Sequence, residues 1–107
     1  MPLFVVTFKH PNEAGWQQHL VLHLNYLQEI EKEGRLRASG PFTDTPGKTA
    51  MLILSAADRE DLMALIARDP FEIHGLIEDM TVNEWDPIFG VFNDESTMPG
   101  RFSPKRD

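Results

Sequence analysis

The order of hydrophobic patterns along the chain constrains the fold more than any other feature of the sequence. Short runs of β-branched and aromatic residues predict strands, and longer runs with an apolar residue every three or four positions predict helices. The predicted elements follow one another as strand, helix, strand, strand, helix and strand, over residues 3–8, 13–33, 35–42, 49–54, 58–69 and 76–85. In a chain of 107 residues this order leaves room for a single domain.

Residues that cap or stop the chain set the limits of the two predicted helices. Asn12 stands where a helix N-cap is expected, and Gly34 follows the last helical residue, as glycine commonly does. Asp58 is the expected cap of the second helix. That helix ends at Asp69, because the residue before Pro70 avoids the helical conformation.

This element order is the split β-α-β pattern of the ferredoxin-like α+β fold. Such a fold has a four-stranded antiparallel sheet with two helices on one of its faces. The third strand, residues 49–54, is almost entirely apolar, so its outer face needs a cover. We therefore expect a homodimer in which two sheets pack face to face. The domain is expected to span residues 1–92, followed by a polar C-terminal tail, residues 93–107, that is loose or leans on a partner.

Composition excludes several classes of function. The formal net charge is −7, and residues 78–95 contain six acidic residues and neither Lys nor Arg. Binding to nucleic acid or to an anionic membrane depends on basic surface, so neither is expected. The absence of cysteine excludes disulfides and a cysteine nucleophile. No apolar run reaches ~20 residues and the N-terminus lacks signal-peptide features, so we expect a cytoplasmic protein.

The four histidines are the residues best suited to proton chemistry near neutral pH. His19 and His23 share a helix face, a spacing that can hold a metal ion. The zinc signature on helices needs a glutamate directly after the first histidine, but Leu20 stands there. We therefore expect no metal site, and place one ring at the rim of the core and the other at its edge.

His23 lies on the apolar half of the first predicted helix. A buried imidazole needs a hydrogen-bond partner, and a carboxylate would fix its tautomer and increase its basicity. Asp69 is the best candidate, because Pro70 holds it at a rigid helix end. This arrangement indicates general acid or base catalysis. A structural interpretation, in which Asp69 only turns the chain before Pro70, stays open.

A second cluster of candidate residues ends the second predicted strand. Ser39 offers a hydroxyl, Gly40 allows a ligand close to the backbone, and Pro41 fixes the chain direction. Ser39 is expected to line a site rather than act as a nucleophile, because the G-x-S-x-G motif is absent. Phe42 and Phe71 each follow a proline and would wall a small apolar pocket. A Gly-Pro step at a strand end is also common in ordinary turns.

Two stretches, residues 23–42 and 67–76, resemble the YciI-like (YCII-related) family. In that family a helical histidine precedes a glycine at the spacing of His23 and Gly34, and a short strand then ends in Gly-Pro. An Asp-Pro-Phe or Asp-Pro-Tyr sequence follows the second helix, as at Asp69, and Trp85 after the last strand fits as well. The resemblance covers roughly residues 1–90.

The resemblance implies a ferredoxin-like fold of the dimeric α+β barrel type. It implies an active-site His–Asp pair at His23 and Asp69, with the strand end at residues 39–41 lining the same cleft, and neither a metal nor an organic cofactor. The family members with assigned chemistry are lyase-like enzymes of aromatic breakdown, related in fold to muconolactone isomerases. Most members have no assigned substrate.

The sequence therefore predicts an enzyme in which His23 and Asp69 transfer a proton during elimination or isomerisation of a small hydroxylated ring compound. The alternative is a non-catalytic module that binds a small ligand or serves a neighbouring enzyme, and a third possibility is a cofactor-free oxygenase. The His23–Asp69 contact discriminates between catalysis and a purely structural role. An enzyme needs this contact formed and open to a cavity, whereas a dimerisation module can seal His23 in the core.

Overall fold

Four strands form one antiparallel sheet, and the helices pack on one of its faces. The computed structural model describes residues 1–100 of the chain. Its elements are β1 (Leu3–His10), α1 (Glu13–Lys32), β2 (Leu36–Pro41), β3 (Lys48–Ser55), α2 (Arg59–Ile66), α3 (Pro70–Ile73), β4 (Glu78–Trp85) and a 3-10 turn at Asn93–Glu95. The strands lie in the order β2-β3-β1-β4, and every neighbouring pair is antiparallel. The predicted ferredoxin-like α+β fold is confirmed.

The caps predicted from the sequence are present at the helix ends. The Asn12 side chain accepts a hydrogen bond of 3.0 Å from the backbone N–H of Gly15. The Asp58 side chain accepts one of 2.8 Å from the backbone N–H of Asp61. Gly34 follows α1 with φ +78°, a left-handed conformation that glycine adopts without steric cost.

The core lies between the helices and one face of the sheet. Phe4, Val6 and Phe8 alternate along β1 with side chains turned toward this core, and all three are buried. They pack with residues of β3 and of the two longer helices: Leu52, Leu54, Tyr26, Ile30, Leu62, Leu65 and Ile66. The same alternation carries the next residue of the series, His10, onto the core face at the end of β1.

The ends of α1 and α2 are joined by one arginine. Glu29 and Glu33 lie near the C-terminus of α1, where negative charge opposes the helix dipole. Arg68 donates hydrogen bonds to Glu33 at 3.0 Å and to Glu29 at 3.4 Å. The hydrogen bond from Arg68 lowers the pKa of the Glu33 carboxyl. This contact holds the exit of α2 against α1, directly before Asp69.

The chain forms an additional helical turn at the point where the sequence analysis ends the second helix. The Asp69 side chain caps α3 by accepting a 2.9 Å hydrogen bond from the backbone N–H of Phe71. Pro70 occupies the first helical position, where its missing N–H costs no hydrogen bond. The turn carries Phe71 into the interior, so Asp69 has a structural role.

Residues 93–100 are held to the domain rather than loose, and a contact of the tail with a partner stays a prediction. Asn93 is 1% exposed, and its side-chain oxygen accepts a 2.7 Å hydrogen bond from the backbone N–H of Gly100. An ion pair between Glu95 and Arg37 ties this segment to the sheet. Residues 101–107 of the predicted tail lie outside the described part of the chain, and the boundary at residue 93 stays a prediction.

None of the helices within residues 1–100 is both long enough and apolar enough to cross a bilayer. The longest, α1, exposes a face that mixes polar residues with Val21 and Leu22. The other helices have at most eight residues.

The left-handed residue after α1 provides a test of the chain reversal into β2. We expect Gly34→Ala to lower the free energy of unfolding by about 1–2 kcal/mol, because alanine pays a steric cost at positive φ. Urea denaturation measures this loss. Gly40→Ala is the matched control, since an added methyl group there meets no atom within 4 Å and φ is not positive. Equal losses in the two variants would contradict the conformational explanation.

Candidate functional site

His23 of α1 and Asp69 at the start of α3 form a buried hydrogen bond. The distance from His23 Nδ1 to Asp69 Oδ1 is 2.8 Å, and the two residues are 8% and 2% exposed. Because the carboxylate accepts, Nδ1 donates, and Nε2 is the ring nitrogen left for another partner. The His23 ring stacks on Phe71 with centroids 4.0 Å apart, which fixes the plane of the imidazole.

A second histidine, which the sequence analysis did not single out, lies beside this contact. The ring of His10 is 5% exposed, and its centroid is 6.5 Å from that of His23 and 4.7 Å from that of Phe71. Its Nδ1 lies 3.1 Å from the carbonyl oxygen of Leu76. A carbonyl oxygen only accepts, so Nδ1 carries the proton and Nε2 of the neutral ring has a free lone pair.

Burial holds the pKa of His10 below its usual value of 6.5. The hydrogen bond to the Leu76 carbonyl and the negative charge of Asp69 act in the opposite direction, and the positive charge of Lys48 adds to the lowering. The sequence contained a signal for this buried ring, because His10 continues the alternation of Phe4, Val6 and Phe8. The predicted strand ended too early to include it.

A cavity of about 720 Å³ opens beside the two histidine rings. All of the predicted pocket residues line it together with His23: Ser39, Gly40, Pro41, Phe42 and Phe71. Phe8 and Trp16 add to its aromatic wall. Asp69 is not part of the lining, because it contacts His23 from the buried side. The structure thus brings the predicted residues together, and their functional roles stay predictions.

Both Nε2 atoms remain available to a ligand. Neither His10 Nε2 nor His23 Nε2 bonds to a described residue. Within residues 1–100, the buried side-chain atom left without a hydrogen-bond partner is Glu95 Oε2, so neither ring nitrogen is sealed in the core. The His23–Asp69 contact is therefore formed, and it lies beside an open cavity.

Lys48 is the one formally charged residue among the described residues that line the cavity. Its Nζ lies 4.1 Å from the ring centroid of Trp16 and 3.8 Å from the carboxylate of Glu13. The acidic stretch 78–95 begins on β4, at the sheet edge opposite β2. Lys48 thus places a positive charge at the cavity wall in a chain with a net charge of −7.

The helical spacing of His19 and His23 does not produce a ligand cluster. The ring of His19 stacks instead on that of His74, with centroids 3.8 Å apart and an angle of 14° between the planes. Residues 1–100 contain no group of three or more His, Cys, Asp or Glu side chains that could hold a metal ion.

The YCII-related domain matches residues 3–86 of the chain. The chain belongs to this family. A relative, the uncharacterized protein YjpA of Bacillus subtilis (strain 168), is 30% identical over 69 residues, which are 64% of this chain and 78% of YjpA. The family resemblance in the sequence is therefore confirmed.

Two solved structures share the fold. One is the 5-chloro-2-hydroxyhydroquinone dehydrochlorinase TftG of Burkholderia phenoliruptrix AC1100, in complex with 2,5-dihydroxybenzoquinone. It is 22% identical with a TM-score of 0.66, over 78% of this chain and 93% of TftG. The other, an antibiotic biosynthesis monooxygenase, is 22% identical with a TM-score of 0.53, over 80% of this chain and 97% of that protein. At this identity the likeness shows the fold alone.

The burial of a neutral His10 predicts a pH dependence of stability. Its folded pKa lies below the unfolded value of 6.5, so the unfolded chain binds more protons in the interval between the two. The free energy of unfolding should therefore rise with pH through this interval and level off above about pH 6.5. We expect His10→Gln, which cannot titrate, to show a weaker dependence in urea denaturation between about pH 5 and about pH 8. If the free energy of unfolding of His10→Gln depends on pH as steeply as that of the wild type, His10 is not the group responsible.

Proposed function

We propose that the protein is a small-molecule enzyme that transfers a proton during elimination or isomerisation of a hydroxylated ring compound. The observation that supports this best is the 2.8 Å hydrogen bond between His23 Nδ1 and Asp69 Oδ1 beside the open cavity. In this proposal His23 is the general acid or base, and Asp69 orients its ring.

His23 and Asp69 have different roles in this proposal because of their positions. Asp69 receives the Nδ1–H of His23, so the His23 Nε2 lone pair is available to take a proton from a bound ligand. The carboxylate then stabilises the imidazolium ion. The backbone N–H of Phe71 holds the same carboxylate oxygen in place, and the Phe71 ring keeps the imidazole plane fixed. Positioned proton transfer of this kind contributes typically ~10²–10⁴-fold in rate.

The shape of the cavity supports a planar ring as the substrate. Trp16, Phe42 and Phe71 supply aromatic walls, while polar side chains are the minority of the lining. Flat aromatic surfaces favour stacked or edge-on contacts with a ring compound. TftG, which shares the fold, is named for its action on a chlorinated, hydroxylated ring. We infer the same broad class of substrate for this chain.

The Asp69→Asn variant tests the catalytic role. The assay measures the release of chloride from 5-chloro-2-hydroxyhydroquinone. The conversion of related hydroxylated rings is measured by absorbance. We expect kcat to fall by ~10²–10⁴-fold, because the amide cannot stabilise the imidazolium of His23. The free energy of unfolding should change by less than about 1 kcal/mol, since asparagine is as good an N-cap as aspartate.

Asp58→Asn is the matched control, because Asp58 caps α2 through its side chain but lies outside the cavity lining. Its kcat should equal that of the wild type. If Asp69→Asn unfolds the domain, the residue is structural. A wild-type protein that binds these rings without converting them would favour the non-catalytic binding module.

We also infer a homodimer that forms through the sheet face opposite the helices. Val5 and Thr7 of β1 lie on this face next to their partners Ile53 and Met51 of β3. This central patch is mainly apolar, and the helices cover only the other face of the sheet. Phe92 and Glu95, in the segment after β4, contact Arg37 of β2.

Light scattering at micromolar protein tests this assembly. We expect the wild type to have twice the 12.2 kDa mass of one chain. Thr81→Arg, which places a charge beside Thr7 on the proposed interface, should shift the mass toward the monomer. Val21→Arg on the exposed face of α1, where Val21 is 68% exposed, should leave the dimer intact. A monomeric wild type would refute the inference.

A further inference from the structure

His10 and Lys48 lie next to each other at the same end of the cavity. They are direct partners in the β1–β3 register, so their side chains leave the sheet on the same face. Both residues line the cavity, and both also line the adjoining cleft toward the loop at residues 46–49. The proton transfer proposed for His23 and Asp69 uses neither of them.

The chemistry of His10 Nε2 is that of an acceptor. Its Nδ1–H is engaged by the Leu76 carbonyl oxygen, and burial keeps the ring neutral. The charged or titratable groups that act on the ring are His23 and Lys48, which disfavour its protonation, and Asp69, which favours it. A ligand atom that meets Nε2 must therefore bring a hydrogen.

The chemistry of Lys48 is that of a cation available to a ligand. Its Nζ lies over Trp16, and its ion pair with Glu13 is long, at 3.8 Å. The side chain is 36% exposed, so it can turn toward a bound molecule without breaking a buried contact. It gives the cavity a positive charge on the residue that pairs with His10 across β1 and β3.

We propose that His10 and Lys48 together bind and ionise a hydroxyl group of the ligand, that is, a phenol or an enol. The O–H bond breaks, its proton forms a bond to His10 Nε2, and the electron pair stays on the oxygen. The resulting oxyanion is stabilised by Lys48. A carboxylate fits less well, because it would bring a lone pair against the lone pair of Nε2.

This assignment rests on the proposed function and extends it to two proton transfers on one ligand. The His10 and His23 rings are 6.5 Å apart between centroids, so the substituents of one six-membered ring can reach both. In this direction His23 is the general acid: it starts protonated at Nε2 and donates that proton to a ring carbon, while His10 accepts the hydroxyl proton. Together, the two proton transfers convert an enol into its keto tautomer. The two histidines return to their starting protonation states by proton exchange with water.

The experiment uses 4-nitrophenol, whose ionised form is coloured, so its protonation on the protein can be read directly. We expect the bound phenol to ionise at a pH lower than that of the free phenol by ~1 unit or more. His10→Gln and Lys48→Met should each abolish most of this shift. Lys32→Met is the matched control, because Lys32 is an exposed lysine at the end of α1, outside the lining of both the cavity and the adjoining cleft.

Two further probes test which group the site recognises. 4-Nitroanisole lacks the hydroxyl hydrogen and 4-nitrobenzoate replaces the hydroxyl by a carboxylate, so both should bind more weakly than 4-nitrophenol in calorimetry. Urea denaturation shows whether each variant is folded, and Lys48→Gln serves as a second variant if Lys48→Met is not.

The outcomes separate this proposal from the proposed function. The proposal is overturned if 4-nitrophenol does not bind, if it ionises on the protein as it does in water, or if 4-nitrobenzoate binds as tightly. It is also overturned if the shift persists in His10→Gln and Lys48→Met but is lost in Asp69→Asn. A shift that persists in Asp69→Asn, with no turnover of any ring compound by the wild type, supports the ionising site and rejects the enzymatic function.

Discussion

The site depends on one carboxylate oxygen that accepts two hydrogen bonds. Asp69 Oδ1 receives the backbone N–H of Phe71 at 2.9 Å and the Nδ1–H of His23 at 2.8 Å. The first bond starts α3 and carries Phe71 into the interior, and the second fixes the tautomer of the imidazole. The structural and the catalytic interpretations of Asp69 are therefore compatible, because a single side chain anchors the helical turn and orients His23.

The two buried histidines show how environment assigns different roles to the same side chain. His23 Nδ1 is hydrogen-bonded to a carboxylate, whereas His10 Nδ1 is hydrogen-bonded to a neutral carbonyl group. Burial and the neighbouring Lys48 keep His10 in its neutral form. In the proposals made above, the two imidazoles act on one ligand from different environments, an arrangement that recurs in acid–base catalysis.

Interactions that are local in the chain could be predicted from the sequence, and those that depend on tertiary packing mostly could not. The caps at Asn12 and Asp58 follow from residues three positions away. The His23–Asp69 contact was predicted because a buried imidazole needs a partner and Pro70 holds Asp69 at a rigid helix end, and the family resemblance implied the same pair. The four residues of α3 are too few to show periodicity. The role of His10 depends on Leu76, which no local pattern connects to it.

The hydrogen bonds that hold the two histidines join parts of the chain 46 and 66 residues apart. Contacts of such long range form only after the intervening chain has been ordered, and they are characteristic of slow steps in folding. The cavity is therefore a product of the completed fold. Its walls come from the first strand, the first helix, the second and third strands with the loop between them, and the turn after the second helix. No contiguous fragment shorter than about two thirds of the domain contains both histidines and the groups that orient them.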